Sequence, residues 1–163
     1  MKKSVVVIDL DVVTVHLWKG SQAEEAAEFM EKVEKKHFDV IVPYTLIELA
    51  KEWRYTELKE KIIDFYKKNA REVSTEEIEE KLENYRVSDK EFAINLVGRG
   101  VKEEDAALVM VASLFNADYL VTFNRKHLKN KEHEIDTVLK LFNLPKIKIR
   151  SPKEVLLEAE VKE

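Results

Sequence analysis

Short runs of apolar residues without polar alternation recur along the chain, and each is followed by a stretch with helical spacing. The first run, Val5–Ile8, consists of four β-branched residues and leads directly into Asp9. Continuous apolar runs of this length are typical of parallel strands that are covered on both faces. The same pattern predicts further strands over residues 39–42, 71–73, 118–122 and 147–149.

Segments with an apolar residue at every third or fourth position predict helices between these strands. They begin near residues 12, 21, 44, 58, 75, 89, 103, 135 and 152. Four starts carry the capping-box pattern, a Ser or Thr followed three positions later by Glu: Ser21/Glu24, Thr45/Glu48, Ser74/Glu77 and Ser88/Glu91. The helix after residue 103 is apolar almost all round, which indicates burial. Alternating strands and helices predict an α/β fold, a single domain over residues 1–163 with a central parallel β-sheet flanked by helices and a helical middle over 56–100.

Composition excludes several kinds of chemistry. The chain of 163 residues has no cysteine, so disulfides, thiol nucleophiles and zinc–thiolate sites are ruled out, and its three glycines form no phosphate-binding loop. The longest apolar run, Ala106–Phe115, is too short to span a bilayer. A strand at the amino terminus leaves no room for a signal peptide, so we expect a cytoplasmic protein with no membrane partner.

The charge balance limits how the chain would meet nucleic acid. The net charge is −4, so a general attraction to nucleic acid is not expected, and contact would require a local basic patch or metal ions. Charged residues make up 37% of the chain and there is a single glutamine, a composition that resembles thermophile proteins.

Polar side chains stand where the predicted strands end or the buried helix begins. Asp9 follows the first strand, Glu48 the second and Asn124 the strand over 118–122, while Asp105 opens the buried helix. Ligands of open α/β sheets bind beyond the carboxyl ends of the strands, so these groups are expected to converge. Converging carboxylates repel each other unless a cation neutralises them, and hard oxygen ligands suit Mg²⁺ or Mn²⁺. Such a site can ionise a water and stabilise charge on a phosphoryl group.

Each of these residues also has a simpler structural interpretation. Asp9 and Asp11 are favoured residues for capping the helix that follows them. Glu48 belongs to a capping-box pattern, Asp105 suits the positive end of a helix dipole, and Asn124 is a common turn residue. Taken one at a time, Glu48 and Asn124 are better explained by the structural role, while Asp105 fits the structural and the functional role equally well. Their joint placement at one edge of the sheet favours a site.

Five segments, in this order, resemble the PIN-domain family and cover nearly the whole chain. They are Val-Ile-Asp9, Val-Pro-Tyr-Thr-Leu-Ile-Glu48-Leu-Ala, Glu-Asp105-Ala-Ala-Leu-Val-Met-Val-Ala with Asp-Tyr-Leu-Val-Thr122-Phe-Asn124-Arg-Lys-His127-Leu, and Ile-Arg-Ser-Pro152-Lys-Glu-Val-Leu. PIN domains are mostly Mg²⁺- or Mn²⁺-dependent ribonucleases, and many are the toxins of VapBC toxin–antitoxin pairs. The resemblance implies a PIN-like fold and in-line attack of an activated water on an RNA phosphodiester, leaving a 5′-phosphate.

The resemblance also assigns roles to residues of the site. Asp9, Glu48 and Asp105 would be the metal-binding acids, and Asn124 takes a position where the family often has a fourth acid. With Asn at this position the site has one negative charge fewer, which would weaken the binding of a second metal ion. The family also has small polar residues where Asp11 stands.

The expected partners are RNA and, for a toxin, an antitoxin protein. Thr122 matches a hydroxyl that the family has beside the fourth position. Arg125 is the basic residue that we expect to contact the RNA phosphates. Asp11 and Thr122 are the other residues that we expect to contact the substrate. The apolar side chains Leu17 and Trp18 are candidates for a homodimer or partner surface, although a core position is the favoured alternative for Leu17, as it is for Val13.

Two other interpretations remain. The pattern Asp9-x-Asp11 also fits the first motif of haloacid-dehalogenase-like phosphatases, and Leu-Val-Thr122 mimics their second. The forty-one residues after Thr122 lack a Lys followed by a paired-Asp motif, and this interpretation leaves Glu48 and Asp105 without a role. The other alternative is a PIN-like scaffold or binding module whose metal site is too weak for cleavage.

Overall fold

The computed structural model describes residues 3–18 and 22–162. The strands are β1 Val5–Ile8, β2 Asp39–Pro43, β3 Ala70–Val73, β4 Tyr119–Val121 and β5 Lys148–Arg150. The helices are α1 Leu10–Trp18, α2 Ala23–Glu34, α3 Tyr44–Lys51, α4 Thr56–Asn69, α5 Thr75–Tyr85, α6 Asp89–Val97, α7 Glu103–Leu114, α8 Glu132–Leu141 and α9 Pro152–Lys162, with a 3-10 turn at Lys129–Lys131.

All five strands form one parallel sheet in the order β3-β2-β1-β4-β5. The most apolar strand, β1, lies at its centre, with Val7 opposite Ile41 of β2 on one side and Leu120 of β4 on the other. Its residues Val6, Val7 and Ile8 are fully buried, as expected of a strand covered on both faces. The predicted α/β fold, a single domain with a central parallel sheet flanked by helices, is confirmed.

The backbone groups of β1 alternate between its two neighbours. The Asp39 N–H of β2 donates to the Ser4 carbonyl at 3.0 Å, so even-numbered residues face β2. The Asp9 N–H donates to the Val121 carbonyl of β4 at 2.9 Å, so odd-numbered residues face β4. Asp9 is therefore held to the sheet by its backbone at the carboxyl end of the central strand.

Helix α7 is buried, as its apolar sequence predicts. It packs against β1, β2 and β4 and against α5 and α6. Residues on every side of the helix are inaccessible, including Asp105 in its first turn and Ser113 near its end. Burial of each large apolar side chain contributes about 1.5–3 kcal/mol, so α7 anchors Asp105 firmly.

Three of the four predicted capping boxes lie within the described residues, and they differ in outcome. The Ser74/Glu77 box is complete, with the Glu77 N–H donating to Ser74 Oγ at 3.2 Å and the Ser74 N–H donating to Glu77 Oε1 at 3.4 Å. At α6 the Glu91 N–H donates to Ser88 Oγ at 3.3 Å. The Thr45/Glu48 box is wrong, because α3 already begins at Tyr44 after Pro43 and Thr45 lies inside its first turn. Ser21 of the fourth box lies outside the described residues.

Several boundaries differ from the predicted ones. Helix α1 begins at Leu10 instead of residue 12 and α8 at Glu132 instead of 135, because acidic residues extend both first turns. Val13 is fully buried and Leu17 packs partly buried against the core, while Trp18 is 59% exposed and meets Tyr55 edge to face. Within residues 3–18 and 22–162, none of the helices has the length and apolar character needed to cross a bilayer.

Candidate functional site

Asp9 and Thr122 meet at the carboxyl ends of the two central strands. Asp9 follows β1 and is 9% exposed, and Thr122 follows β4 and is buried. The Thr122 hydroxyl donates to Asp9 Oδ2 at 2.9 Å and accepts the Asn124 N–H at 2.9 Å. Because the hydroxyl oxygen accepts from the backbone, its single proton points toward the carboxylates, with Asp9 the nearer acceptor.

Asp11 lies beside this pair, in the first turn of α1. Its Oδ2 accepts the Phe123 N–H at 3.2 Å and lies 3.5 Å from the Thr122 hydroxyl. Its other oxygen, Oδ1, is buried and has no hydrogen-bond partner. A buried carboxylate oxygen without a partner is costly, and a cation or a water would satisfy it.

Asp105 reaches the site from α7, and Asn124 joins it to the loop after β4. Asn124 Nδ2 donates to Asp105 Oδ2 at 3.4 Å, while Asn124 Oδ1 accepts the His127 N–H at 3.0 Å. The His127 contact fixes the orientation of the amide, because only its oxygen can accept a hydrogen bond. Asn124 therefore presents its NH₂ group to the acids.

The three aspartates share one electrostatic environment. Burial raises the pKa of Asp9, and the hydrogen bond from Thr122 only partly opposes this. Burial, followed by the charge of Asp9, raises the pKa of Asp11 to about 7 and that of Asp105 to about 6. Without a cation Asp11 and Asp105 therefore titrate close to neutral pH, and a divalent cation would favour the ionised forms of all three acids.

Glu48 has a different environment. Its side chain is 42% exposed, and Lys51 Nζ donates to Glu48 Oε1 at 3.1 Å. The hydrogen bonds from Lys51 and then from Tyr44 lower the pKa of Glu48. Among the charges that shift the pKa values of Asp9, Asp11 and Asp105 are those of Asp9 and Glu104, whereas Glu48 is not one of the causes. The structure thus brings Asp9, Asp105 and Asn124 together and leaves Glu48 paired on its own helix.

The donor types at this edge suit a hard cation, although the carboxylates would have to turn toward one another to bind it. Among residues 3–18 and 22–162, no group of three or more His, Asp or Glu side chains is arranged to hold a metal ion. The unpaired Oδ1 of Asp11 and the raised pKa values of Asp11 and Asp105 fit a missing positive charge. Asp9, Asp11 and Asp105 are the residues that could hold it.

Arg125 is exposed beside the site. It lines a groove of about 740 Å³ between α2 and α9, together with Lys129, Lys153 and three glutamates of α2. Lys129 is paired with Glu154 at the start of α9. Arg125 therefore faces a groove of mixed charge.

Tyr66 is a neighbour of the site that the sequence did not reveal. It is fully buried on α4, and its hydroxyl donates to the Ile8 carbonyl at 3.0 Å. Burial raises the pKa of Tyr66 well above its usual value, and the charges of Asp9 and Asp11 raise it further, so the hydroxyl remains a donor. A tyrosine on an apolar helix face carries no signal of such a contact.

No family model matches the sequence, and no curated protein matches it either. The fold is similar to a chain in the crystal structure of VapBC2 from Rickettsia felis bound to a DNA fragment from their promoter. The TM-score is 0.55 at 14% sequence identity, and the alignment covers 90% of this chain and 98% of the other. A likeness at this identity concerns the fold alone, and it confirms the prediction of a PIN-like α/β fold.

Proposed function

We propose that this protein is a metal-dependent endoribonuclease whose Mg²⁺ or Mn²⁺ is held by Asp9, Asp11 and Asp105. The observation that carries the proposal is the group of three aspartates at the carboxyl edge of the sheet, two of them buried and Asp11 partly buried, with raised pKa values and one unpaired buried oxygen. Three acids in such a place are costly unless a cation neutralises them. Glu48 would join this set only after leaving Lys51.

The residues of the chain have separable roles in this proposal. A bound divalent cation supplies Lewis acidity toward a phosphoryl oxygen and lowers the pKa of water. The Thr122 hydroxyl anchors one oxygen of Asp9, and the amide of Asn124 anchors one oxygen of Asp105. Arg125 stands where it can contact the phosphate backbone of an RNA strand that leaves the site. The net charge of −4 makes this local contact and the cation the main attractions for RNA.

The test is incubation of a mixed RNA pool with the wild type or with Asp9→Asn, in Mn²⁺ or in chelator. Wild type should cleave only with Mn²⁺, and Asp9→Asn should not cleave although it stays folded, because the amide removes a ligand charge. Asp39→Asn is the matched control, since Asp39 is an exposed acid at the opposite end of the sheet. Equal cleavage by wild type and Asp9→Asn would remove Asp9 from the site.

We also propose that the protein acts with an antitoxin partner, as the toxin of a pair. The support is the similar fold of a chain from VapBC2, a complex. Expression of the wild type alone should then slow growth of the host, while Asp9→Asn should not. Equal growth with both would argue for the alternative, a PIN-like binding module.

A further inference from the structure

The hydrogen-bond ladder between β1 and β2 stops at Pro43. Even-numbered residues of β1 face β2, and Val7 lies opposite Ile41. Continuation of this parallel register would bring the N–H of residue 43 to the carbonyl of Ile8. Residue 43 is a proline and has no N–H to donate. The buried carbonyl beside Asp9 therefore requires a donor from elsewhere.

Tyr66 supplies this donor from α4. Its hydroxyl lies 3.0 Å from the Ile8 carbonyl oxygen, across 58 residues of sequence. The tyrosine is fully buried, and its ring packs edge to face on Phe65 with centroids 5.8 Å apart. A side chain packed in this way keeps its hydroxyl in one place, so it substitutes for the N–H that Pro43 lacks.

The contact fixes the peptide unit that enters Asp9. One edge of this unit is the Ile8 carbonyl, held by Tyr66, and the other is the Asp9 N–H, held by the Val121 carbonyl at 2.9 Å. Two hydrogen bonds on opposite edges prevent rotation of the peptide plane. The direction of the Asp9 side chain from its Cα depends on that plane.

We propose that Tyr66 is a positioning residue, whose hydroxyl aims the Asp9 carboxylate at the cation by holding the Ile8 carbonyl. The effect on cation binding rests on the function proposed above, whereas the effect on the Asp9 backbone does not. Groups that orient a metal ligand from behind typically change metal affinity by about 10–100-fold when they are removed.

The experiment compares four variants with the wild type. Tyr66→Phe removes the hydroxyl and keeps the ring. Ser113→Ala is the matched control, because Ser113 is also fully buried and its hydroxyl donates to a backbone carbonyl, that of Pro145, at 2.6 Å. Pro43→Ala restores a backbone N–H opposite Ile8, alone and combined with Tyr66→Phe. Mn²⁺ affinity is measured by calorimetry and exchange of the Asp9 amide hydrogen by NMR.

Tyr66→Phe should bind Mn²⁺ roughly tenfold more weakly than wild type, and the double variant should recover most of this loss. The Asp9 amide should exchange up to roughly tenfold faster in Tyr66→Phe than in Ser113→Ala, as loss of one hydrogen bond implies. Ser113→Ala and Pro43→Ala should bind Mn²⁺ like wild type. If the single variant Tyr66→Phe does not fold, the double variant with Pro43→Ala takes its place. A double variant that folds and binds Mn²⁺ like wild type supports the proposal. A double variant that neither folds nor binds Mn²⁺ overturns it.

Equal Mn²⁺ affinity and equal Asp9 exchange in Tyr66→Phe and Ser113→Ala would overturn the role of Tyr66. A loss that Pro43→Ala does not repair would also overturn it, because the missing donor would not be the cause. If the wild type binds no Mn²⁺, the proposed function fails, and Asp9 exchange alone then decides on Tyr66. Faster exchange than in Ser113→Ala supports the positioning role, and equal exchange refutes it.

Discussion

Replacement of Asp11 by Asn is expected to stabilise the protein when no divalent cation is present. Burial and the neighbouring Asp9 charge raise the pKa of Asp11 from 3.8 to about 7. Because the native pKa lies above the unfolded one, the native state holds the proton more tightly, and stability falls as pH rises through the interval between them. Asparagine has no proton to lose, and its oxygen can still accept the Phe123 N–H.

The size of the effect follows from the shift. Each pKa unit corresponds to about 1.4 kcal/mol, so the whole shift amounts to about 4 kcal/mol. Asp11 is only partly buried and titrates together with Asp9, which reduces the expected gain to about 2 kcal/mol. For a chain of this length that gain corresponds to an increase in Tm of about 4–8 °C.

The assay is thermal unfolding in chelator at about pH 8 and about pH 4, for wild type, Asp11→Asn and the exposed-acid control Asp39→Asn. Asp11→Asn should exceed wild type by most of this gain at the higher pH and by only a small part of it at the lower, while Asp39→Asn should track wild type at both. Saturating Mn²⁺ should reverse the order, because a ligand at 100 times its Kd stabilises the native state by about 2.7 kcal/mol. An Asp11→Asn variant no more stable than wild type at the higher pH would refute the proposed repulsion.

Four further substitutions separate the remaining roles. Thr122→Val removes the hydroxyl that donates to Asp9 and accepts from Asn124. Urea denaturation should therefore show a free energy of unfolding that is lower by about 1–3 kcal/mol. An unchanged free energy of unfolding would show that these hydrogen bonds do not stabilise the protein. Asn124→Asp adds a carboxylate beside Asp105, so calorimetry should find tighter Mn²⁺ binding, and weaker binding would contradict the electrostatic account. Glu48→Gln should change Mn²⁺ affinity far less than Asp105→Asn does, because Glu48 is paired with Lys51. If both variants lose the same Mn²⁺ affinity, Glu48 is a ligand of the metal.

The sheet and the edge that carries the acids could be predicted from local patterns. The apolar run of β1 fixes Asp9 at a strand end, and parallel pairing with β4 then brings Thr122 beside it. Asp11 follows two residues after Asp9, although its contact with the Phe123 N–H has no signal in the sequence. These positions depend on short-range sequence and on one rule of sheet topology.

The environments of Glu48 and Tyr66 could not be predicted in the same way. The side chain of Glu48 depends on where α3 begins, and Pro43 starts that helix one residue before the predicted capping threonine. Glu48 therefore caps no backbone N–H at the start of the helix, and it pairs instead with Lys51, three residues further along α3. Tyr66 meets the site because α4 packs against α1 and α3 and brings its hydroxyl to the Ile8 carbonyl, a tertiary contact that no local pattern specifies.

The central claim is that a divalent cation binds between the buried aspartates at the carboxyl edge of the sheet. Anomalous diffraction from crystals grown with Mn²⁺ tests it most directly, because the signal locates the ion independently of any assay. We expect a peak in contact with Asp9 and Asp105, with Asp11 Oδ1 turned toward it. A peak elsewhere on the protein, or none at an Mn²⁺ concentration that raises Tm, would contradict it.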